Sequence, residues 1–183
     1  ARDLLVDSLG ADRLASRGEL AKLLLYCQGQ TEVAAADIGA IVSDVSPSNL
    51  DSALDAAFLG HRAELDAELR QLMQQGTTAA GLLSAGLRHG FSLLAARASH
   101  EAGGAVDDAL RTWRGLHFKR KAAVERQIRN WTSARLPAAI DTLQSATLAT
   151  RRWPDLAQSL AATSLFRIAT VAAAAGRSAA RHP

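Results

Sequence analysis

Apolar residues recur at helical spacing along most of this chain, and the pattern is clearest in residues 118–131. There Val124, Ile128 and Trp131 occupy positions i, i+4 and i+7. This spacing places the three side chains on one face of an α-helix, so we expect that face to be buried. No short segment alternates in the strand pattern, and alanine and leucine dominate while β-branched residues are sparse. The sequence therefore predicts an all-α fold.

Glycine and proline residues divide the chain after residue 47 into predicted helices. We expect helices over residues 50–59, 61–75, 78–102, 106–113 and 118–131, then one that Thr132 or Ser133 caps, and a last one over residues 154–176. The positions expected to face the core are Leu65, Leu69, Leu72 and Met73, then Leu82, Leu83, Leu87, Phe91 and Leu94, and finally Leu136, Ile140, Leu143 and Leu148.

Ser46, Pro47 and Ser48 form the clearest linker, because proline resists helix continuation and a serine can cap the helix that follows. We expect residues 1–46 to form a small acidic domain of three helices. Residues 47–183 are expected to form a larger helical bundle. The first residues already lie in a helical pattern, so we expect the chain to be a fragment that lacks an N-terminal part.

The charges are distributed unevenly along the chain. Residues 1–70 carry six cations and twelve acids, whereas residues 71–183 carry fifteen cations and six acids. The predicted helix over residues 118–131 holds a cluster of five cations, Lys119, Arg120, Lys121, Arg126 and Arg129. This cluster is either a solvated face that keeps an alanine-rich helix in solution, or a surface for an acidic partner such as a nucleic-acid backbone.

The sequence predicts no catalytic, cofactor or metal site. It contains no phosphate-binding loop of the GxxxxGK[ST] type, and the HExxH pattern that begins at His100 lacks its second histidine, because position 104 is glycine. The five histidines are scattered and are expected at the surface. The single cysteine, Cys27, lies in an apolar run and is expected to be a small core residue.

Neither a signal peptide nor a membrane span is predicted. The most apolar segment, residues 156–175, is interrupted by Gln158, Ser159, Thr163, Ser164, Arg167 and Thr170, which is typical of a buried core helix. A lone cysteine also fits a reducing compartment. We therefore expect a cytoplasmic location.

Three segments, in this order, resemble one known family. They are GELAKLLLYCQGQTEVAAADIGAIVSD at residues 18–44, LDSALDAAFLGHRAELDAELRQLMQQGTTAAGLLSAGLRH at 50–89, and FKRKAAVERQIRNWTSARL at 118–136. In order and spacing they are similar to the delta subunit of the bacterial DNA polymerase III clamp loader.

The resemblance implies a helical lid of the AAA+ type in residues 1–46 and a helical collar in residues 47–183. It implies that the collar joins loader subunits of the gamma/tau and delta-prime type, and that the assembled loader meets primer–template DNA. It also implies that the sliding clamp is contacted only by an N-terminal domain missing from this chain. The family belongs to a DNA-directed DNA polymerase holoenzyme, but this part of it has no catalytic role.

The resemblance also implies a role for Arg151, Arg152 and Trp153, which occupy the place where relatives carry an aromatic residue near the primer–template junction. An indole there can stack on a base while the guanidiniums neutralise phosphates. Alternatively, Trp153 packs as a hydrophobic staple at the start of the last helix. Lys119, Arg120 and Lys121 face either DNA or acids of a neighbouring collar.

The sequence is also compatible with two other functions. One is a stand-alone helical protein that binds nucleic acid, or regulates a partner, through the basic helix at residues 118–131. The other is an enzyme with an unrecognised site inside a helical bundle.

Overall fold

The structure, a computed structural model, describes residues 49–113 and 116–179, together with Ala21, Leu24, Leu25, Cys27 and Gln28. The chain divides into two compact units, one of residues 1–48 with 114–121 and the other of residues 49–113 with 122–183. The first unit contains the whole predicted lid, and apart from those five residues its three predicted helices lie outside the described part of the chain. Its described part includes Cys27, which is buried as expected.

All regular structure in the described residues is helical, which confirms the predicted all-α fold. The α-helices are α1 (Asn49–Leu59), α2 (Arg62–Gln74), α3 (Ala79–Glu101), α4 (Val106–Thr112), α5 (Lys121–Asn130), α6 (Leu136–Arg152) and α7 (Ala157–Ala179). Two short 3-10 helices, Phe118–Arg120 and Pro154–Leu156, precede α5 and α7. The last predicted helix therefore begins with a 3-10 turn at Pro154.

Several helices begin or end at the glycine and threonine residues that the sequence indicates. Gly60 and Gly76 adopt φ angles of +81° and +77°, in the left-handed region that glycine tolerates, and they end α1 and α2. Thr78 caps α3, because its hydroxyl oxygen accepts a hydrogen bond of 3.1 Å from the Gly81 amide. For α6 the prediction is wrong: Arg135 occupies the N-cap without a side-chain bond, and neither Thr132 nor Ser133 caps the helix.

Helix α7 packs against α1, α2, α3 and α6, so it lies at the centre of the second unit. Leu165, Ile168 and Ala169 supply its buried face. Helices α3 and α6 also pack closely, and Leu83 and Leu93 of α3 are fully buried. The core is therefore a bundle of α1, α2, α3, α6 and α7.

Three predicted core residues are exposed instead. Met73, Phe91 and Leu148 lie on α2, α3 and α6 with 40%, 51% and 66% of their surfaces exposed. On α3 the buried face runs through Gly86, His89, Gly90 and Leu93. The buried face of α3 therefore does not coincide with the side that carries its largest side chains. The small residues of the buried face allow the neighbouring helices to approach.

One helix in the described part of the chain, Pro154–Ala175, is long and apolar enough to cross a membrane by length and composition alone. Core helices of globular proteins share these properties. Here the helix packs against four others, and the exposed side of it carries Thr163, Arg167 and Thr170.

Candidate functional site

The predicted base-stacking residue, Trp153, lies at the C-terminal end of α6. Its backbone amide donates a 2.9 Å hydrogen bond to the carbonyl oxygen of Ala149, and the following Pro154 begins the 3-10 turn that leads into α7. The side chain is 54% exposed. The indole therefore offers a free surface to solvent, whereas Trp131 is fully buried.

Two arginines accompany this indole. The Arg152 guanidinium carbon lies 5.6 Å from the centre of the Trp153 ring, within the range of a cation–π contact. Arg151 and Arg152 occupy the last turn of α6, where cations interact favourably with the helix dipole. Neither arginine forms an ion pair with any described residue. An exposed aromatic ring and two arginines thus share one helix end.

The five cations of the basic cluster predicted at residues 119–129 differ in how exposed they are. Arg120 is buried, with 5% of its surface exposed, so its assignment to an exposed cationic face is wrong. A cation whose side chain is buried is fixed by its surroundings and is not available to an external phosphate. Lys119 and Lys121, on either side, are exposed.

Helix α5 has the predicted two-sided character. Val124, Ile128 and the following Trp131 are fully buried, which confirms the i, i+4, i+7 pattern. On the opposite side Arg126 and Arg129 are exposed, but Arg129 donates to the carboxylate of Glu125 at 2.7 Å. The exposed cations of this helix are therefore partly neutralised by its own acid, and no hydrogen bond or ion pair of the described residues joins them to Arg151 or Arg152.

A chain of buried polar side chains lies inside the second unit and was not predicted. The amide nitrogen of Gln127 donates a 2.8 Å hydrogen bond to Asp55, and its amide oxygen lies 2.7 Å from Nε2 of His89. Since that oxygen can only accept, Nε2 of His89 carries the proton. All three side chains are buried, so the prediction of surface histidines is wrong for His89.

Aromatic rings surround this polar chain. The His89 ring centre lies 4.7 Å from that of Phe58 and 5.2 Å from that of Trp113, and Phe58 lies 5.6 Å from Trp131. The indole N–H of Trp131 donates a 2.7 Å hydrogen bond to the Phe58 carbonyl oxygen. Each polar atom among the rings is thus directed at a partner, which favours a structural role over an open site.

Glu101 connects the end of α3 to the start of the segment that leads into α6. Its carboxylate accepts hydrogen bonds from the Ser133 hydroxyl and amide and from Arg97. Arg97 also donates a 2.9 Å hydrogen bond to the carbonyl oxygen of Ile128. The Ser133 hydroxyl and then Arg97 lower the pKa of Glu101 from 4.5 to about 2, because both stabilise the ionised carboxylate.

No group of three or more metal-ligating side chains comes together among residues 49–113 and 116–175. In the incomplete HExxH sequence, Nδ1 of His100 donates a 3.0 Å hydrogen bond to the Gly104 carbonyl oxygen, and the Glu101 carboxylate is hydrogen-bonded by Arg97 and Ser133.

Comparisons with protein-family models, with curated proteins and with solved structures gave no match to this chain.

Proposed function

We propose that this chain is an assembly module of a bacterial replicative clamp loader, the lid and collar of its delta subunit, with no catalysis of its own. It joins subunits of the gamma/tau and delta-prime type in the cytoplasm and helps to hold primer–template DNA. The proposal rests on the order of the three similar segments. The observation that carries it furthest is the half-exposed Trp153 with Arg152 over its ring.

The chemistry of this helix end fits a nucleic acid. A base offers a flat π-surface, and stacking of a base on an aromatic side chain contributes about 1–3 kcal/mol. Arginine suits the adjacent phosphates, because its planar guanidinium forms paired hydrogen bonds to phosphate oxygens. A staple function for Trp153 would bury the ring, yet more than half of it faces solvent.

Reconstitution of the loader with this chain tests the proposal. We expect the chain to co-purify with the sister subunits, and Trp153→Ala to weaken primer–template binding by the assembled loader roughly 5- to 150-fold, as loss of one stacked base requires. Trp153→Tyr should retain most of the affinity. The matched control is Phe91→Ala, which removes another half-exposed aromatic ring, on α3. Failure of co-purification, or equal effects of the two alanine variants, would contradict the proposal.

A stand-alone nucleic-acid-binding function is the second candidate, and exposed Lys121 and Arg126 favour it. Because Arg120 is buried and Arg129 is paired with Glu125, this second candidate has fewer available cations than the sequence predicts. Salt dependence separates the candidates, since each phosphate neutralised contributes about −0.9 to the slope of log K against log salt. Tight binding by the isolated chain, with a slope that Arg126→Ala and Lys121→Ala each reduce, would favour this second candidate.

A further inference from the structure

Helices α6 and α7 enclose an open groove of about 440 Å³ beside the core of the second unit. Short side chains make up most of its lining, and the buried ones among them are Ala146 of α6 and Ser164 of α7. Residues of this size cannot fill the space between two helices. The short side chains of both helices therefore leave this space open at the surface.

The two walls of the groove carry opposite charges. Asp141 belongs to the α6 wall and Arg167 to the α7 wall, and both side chains are exposed. Neither forms an ion pair or a hydrogen bond with any residue that the structure describes. The groove thus presents one uncompensated acid and one uncompensated base to whatever enters it.

Asp141 and Arg167 lie at nearly the same level along the groove. Asp141 precedes the end of α6 at Arg152 by eleven residues, and Arg167 follows the start of α7 at Ala157 by ten. Because a short connection makes the two helices antiparallel, both residues lie about 15 Å from that connection, at 1.5 Å of rise per residue.

Exposed apolar side chains extend the same surface. Leu148 lies two turns beyond Asp141 on α6, with 66% of its surface exposed. On the other wall, Val171 lies one turn beyond Arg167 on α7, and Leu156 belongs to the 3-10 turn that precedes α7; both are about half exposed. Large apolar side chains beside an open groove are typical of a surface that another protein covers.

We propose that this groove is a self-association site, occupied by the same α6–α7 surface of a second copy of this chain. A two-fold axis that runs parallel to the groove exchanges its two walls. Asp141 of each copy then faces Arg167 of the other, and the pair forms twice. Because the two charges lie at one level, this single symmetry operation compensates both. It also places Leu148 of one copy toward the α7 side of the other.

This inference goes beyond the proposed function and does not depend on it. A different helical protein could enter the groove, but it would need a cation and an acid spaced to match Asp141 and Arg167. The chain itself already contains that complement. Because the Asp141–Arg167 pair forms twice in a symmetric dimer, charge reversal can distinguish self-association from the binding of a different protein.

Charge reversal provides the test, with sedimentation equilibrium of the full chain as the measurement. We expect wild type to dimerise, and Asp141→Arg and Arg167→Asp each to weaken the dimer about tenfold or more, because like charges then face each other twice. When the two variants are mixed, every facing pair has opposite charges again. We therefore expect the mixture to form a heterodimer with near wild-type affinity, and the double variant to form a homodimer.

The matched control is Arg88→Asp, a charge reversal on the exposed side of α3, which should leave the dimer unchanged. Circular dichroism checks that each variant is folded, and the neutral variants Asp141→Asn and Arg167→Gln serve if a reversal unfolds the chain. A wild-type chain that stays monomeric at ~100 μM, far above a micromolar Kd, would overturn the proposal. So would single variants that dimerise normally, or a mixture that does not recover the dimer.

Discussion

The two sides of α6 show how small residues can have opposite effects on helix packing. On the α3 side, Gly86 and Gly90 lie opposite large α6 residues, and a Cβ atom added to Gly90 would come 3.1 Å from Ile140. On the α7 side the two helices also pack closely, but short side chains of both helices line an open groove beside the contact. Small residues therefore close a seam when the facing helix supplies large side chains, and they leave space when it does not.

The largest expected difference between these two sides comes from leucines on the same helix. Leu143 is fully buried next to Gly86, whereas Leu148 is exposed. We expect Leu143→Ala to lower the free energy of unfolding by about 2–5 kcal/mol, since it leaves a cavity in the closed seam. Leu148→Ala should change it by less than ~0.5 kcal/mol.

Urea unfolding, at a concentration that keeps the chain monomeric, measures both leucine variants. Similar losses for the two would mean that α6 does not have one closed and one open side.

A second seam, between Gly60 and α7, should be nearly as sensitive. A Cβ atom at Gly60 would lie 2.5 Å from the Ala173 backbone nitrogen, in addition to the strain of a positive φ. We expect Gly60→Ala to cost about 2–4 kcal/mol, as left-handed strain and overpacking add.

Gly76 is the natural control for this effect, because its φ is also positive but no atom lies within 4 Å of the added Cβ. Gly76→Ala should cost only about 1–2 kcal/mol, the strain alone. Thermal unfolding compares the two variants, and equal costs would show that close contact with α7 does not matter.

The buried polar chain should show a smaller effect. Gln127→Leu removes one hydrogen bond each from Asp55 and His89, so we expect a loss of about 1–3 kcal/mol. Gln144→Leu, at an exposed position of α6, should be close to neutral. Chemical denaturation of both variants is the measurement. A neutral Gln127→Leu would mean that the polar chain contributes little to the core.

The smallest effect is expected at Glu101 and should depend on pH. Its pKa in the folded chain is about 2, below the ordinary 4.5, so its contribution to stability is present above pH 4.5 and is lost as the pH falls toward 2. Glu101→Gln should therefore destabilise the chain at neutral pH, and the difference from wild type should shrink on acidification through this window.

Ser133→Ala removes the largest cause of the lowered pKa of Glu101 and should move the acid transition toward higher pH. Unfolding followed by circular dichroism between about pH 2 and about pH 6, a range that includes both the ordinary and the lowered pKa of Glu101, is the measurement. A Glu101→Gln variant that differs from wild type equally at both ends of the range would contradict this account of the carboxylate.

Local features of the fold could be predicted from the sequence. Glycine and a capping threonine determine helix ends through the backbone angles and hydrogen bonds of a few adjacent residues, so Gly60, Gly76 and Thr78 were informative. The buried face of α5 followed from its period. Exposure of Phe91 and Leu148 could not be predicted, because a helix with apolar residues on several sides does not specify which side meets a neighbour.

The buried polar chain could not be predicted from the sequence for a related reason. Asp55, His89 and Gln127 come from three helices far apart in sequence, and no spacing rule connects them. The only available signal was their position inside apolar stripes, as with Gln127 between Val124 and Ile128. At the candidate site, the sequence shows that Arg152 and Trp153 are adjacent. The exposure of the indole could not be predicted, because it depends on how α6 packs against α7.

Side-chain footprinting with hydroxyl radicals tests most directly whether the open side of α6 is an association surface. The wild-type chain would be labelled at low and at high protein concentration, and modification of individual residues would be quantified by mass spectrometry. We predict that Leu148 and Leu156 become protected at high concentration, while Met73 and Phe91, exposed on α2 and α3, do not change. Unchanged reactivity of Leu148 and Leu156, or protection of Phe91 in their place, would contradict the account.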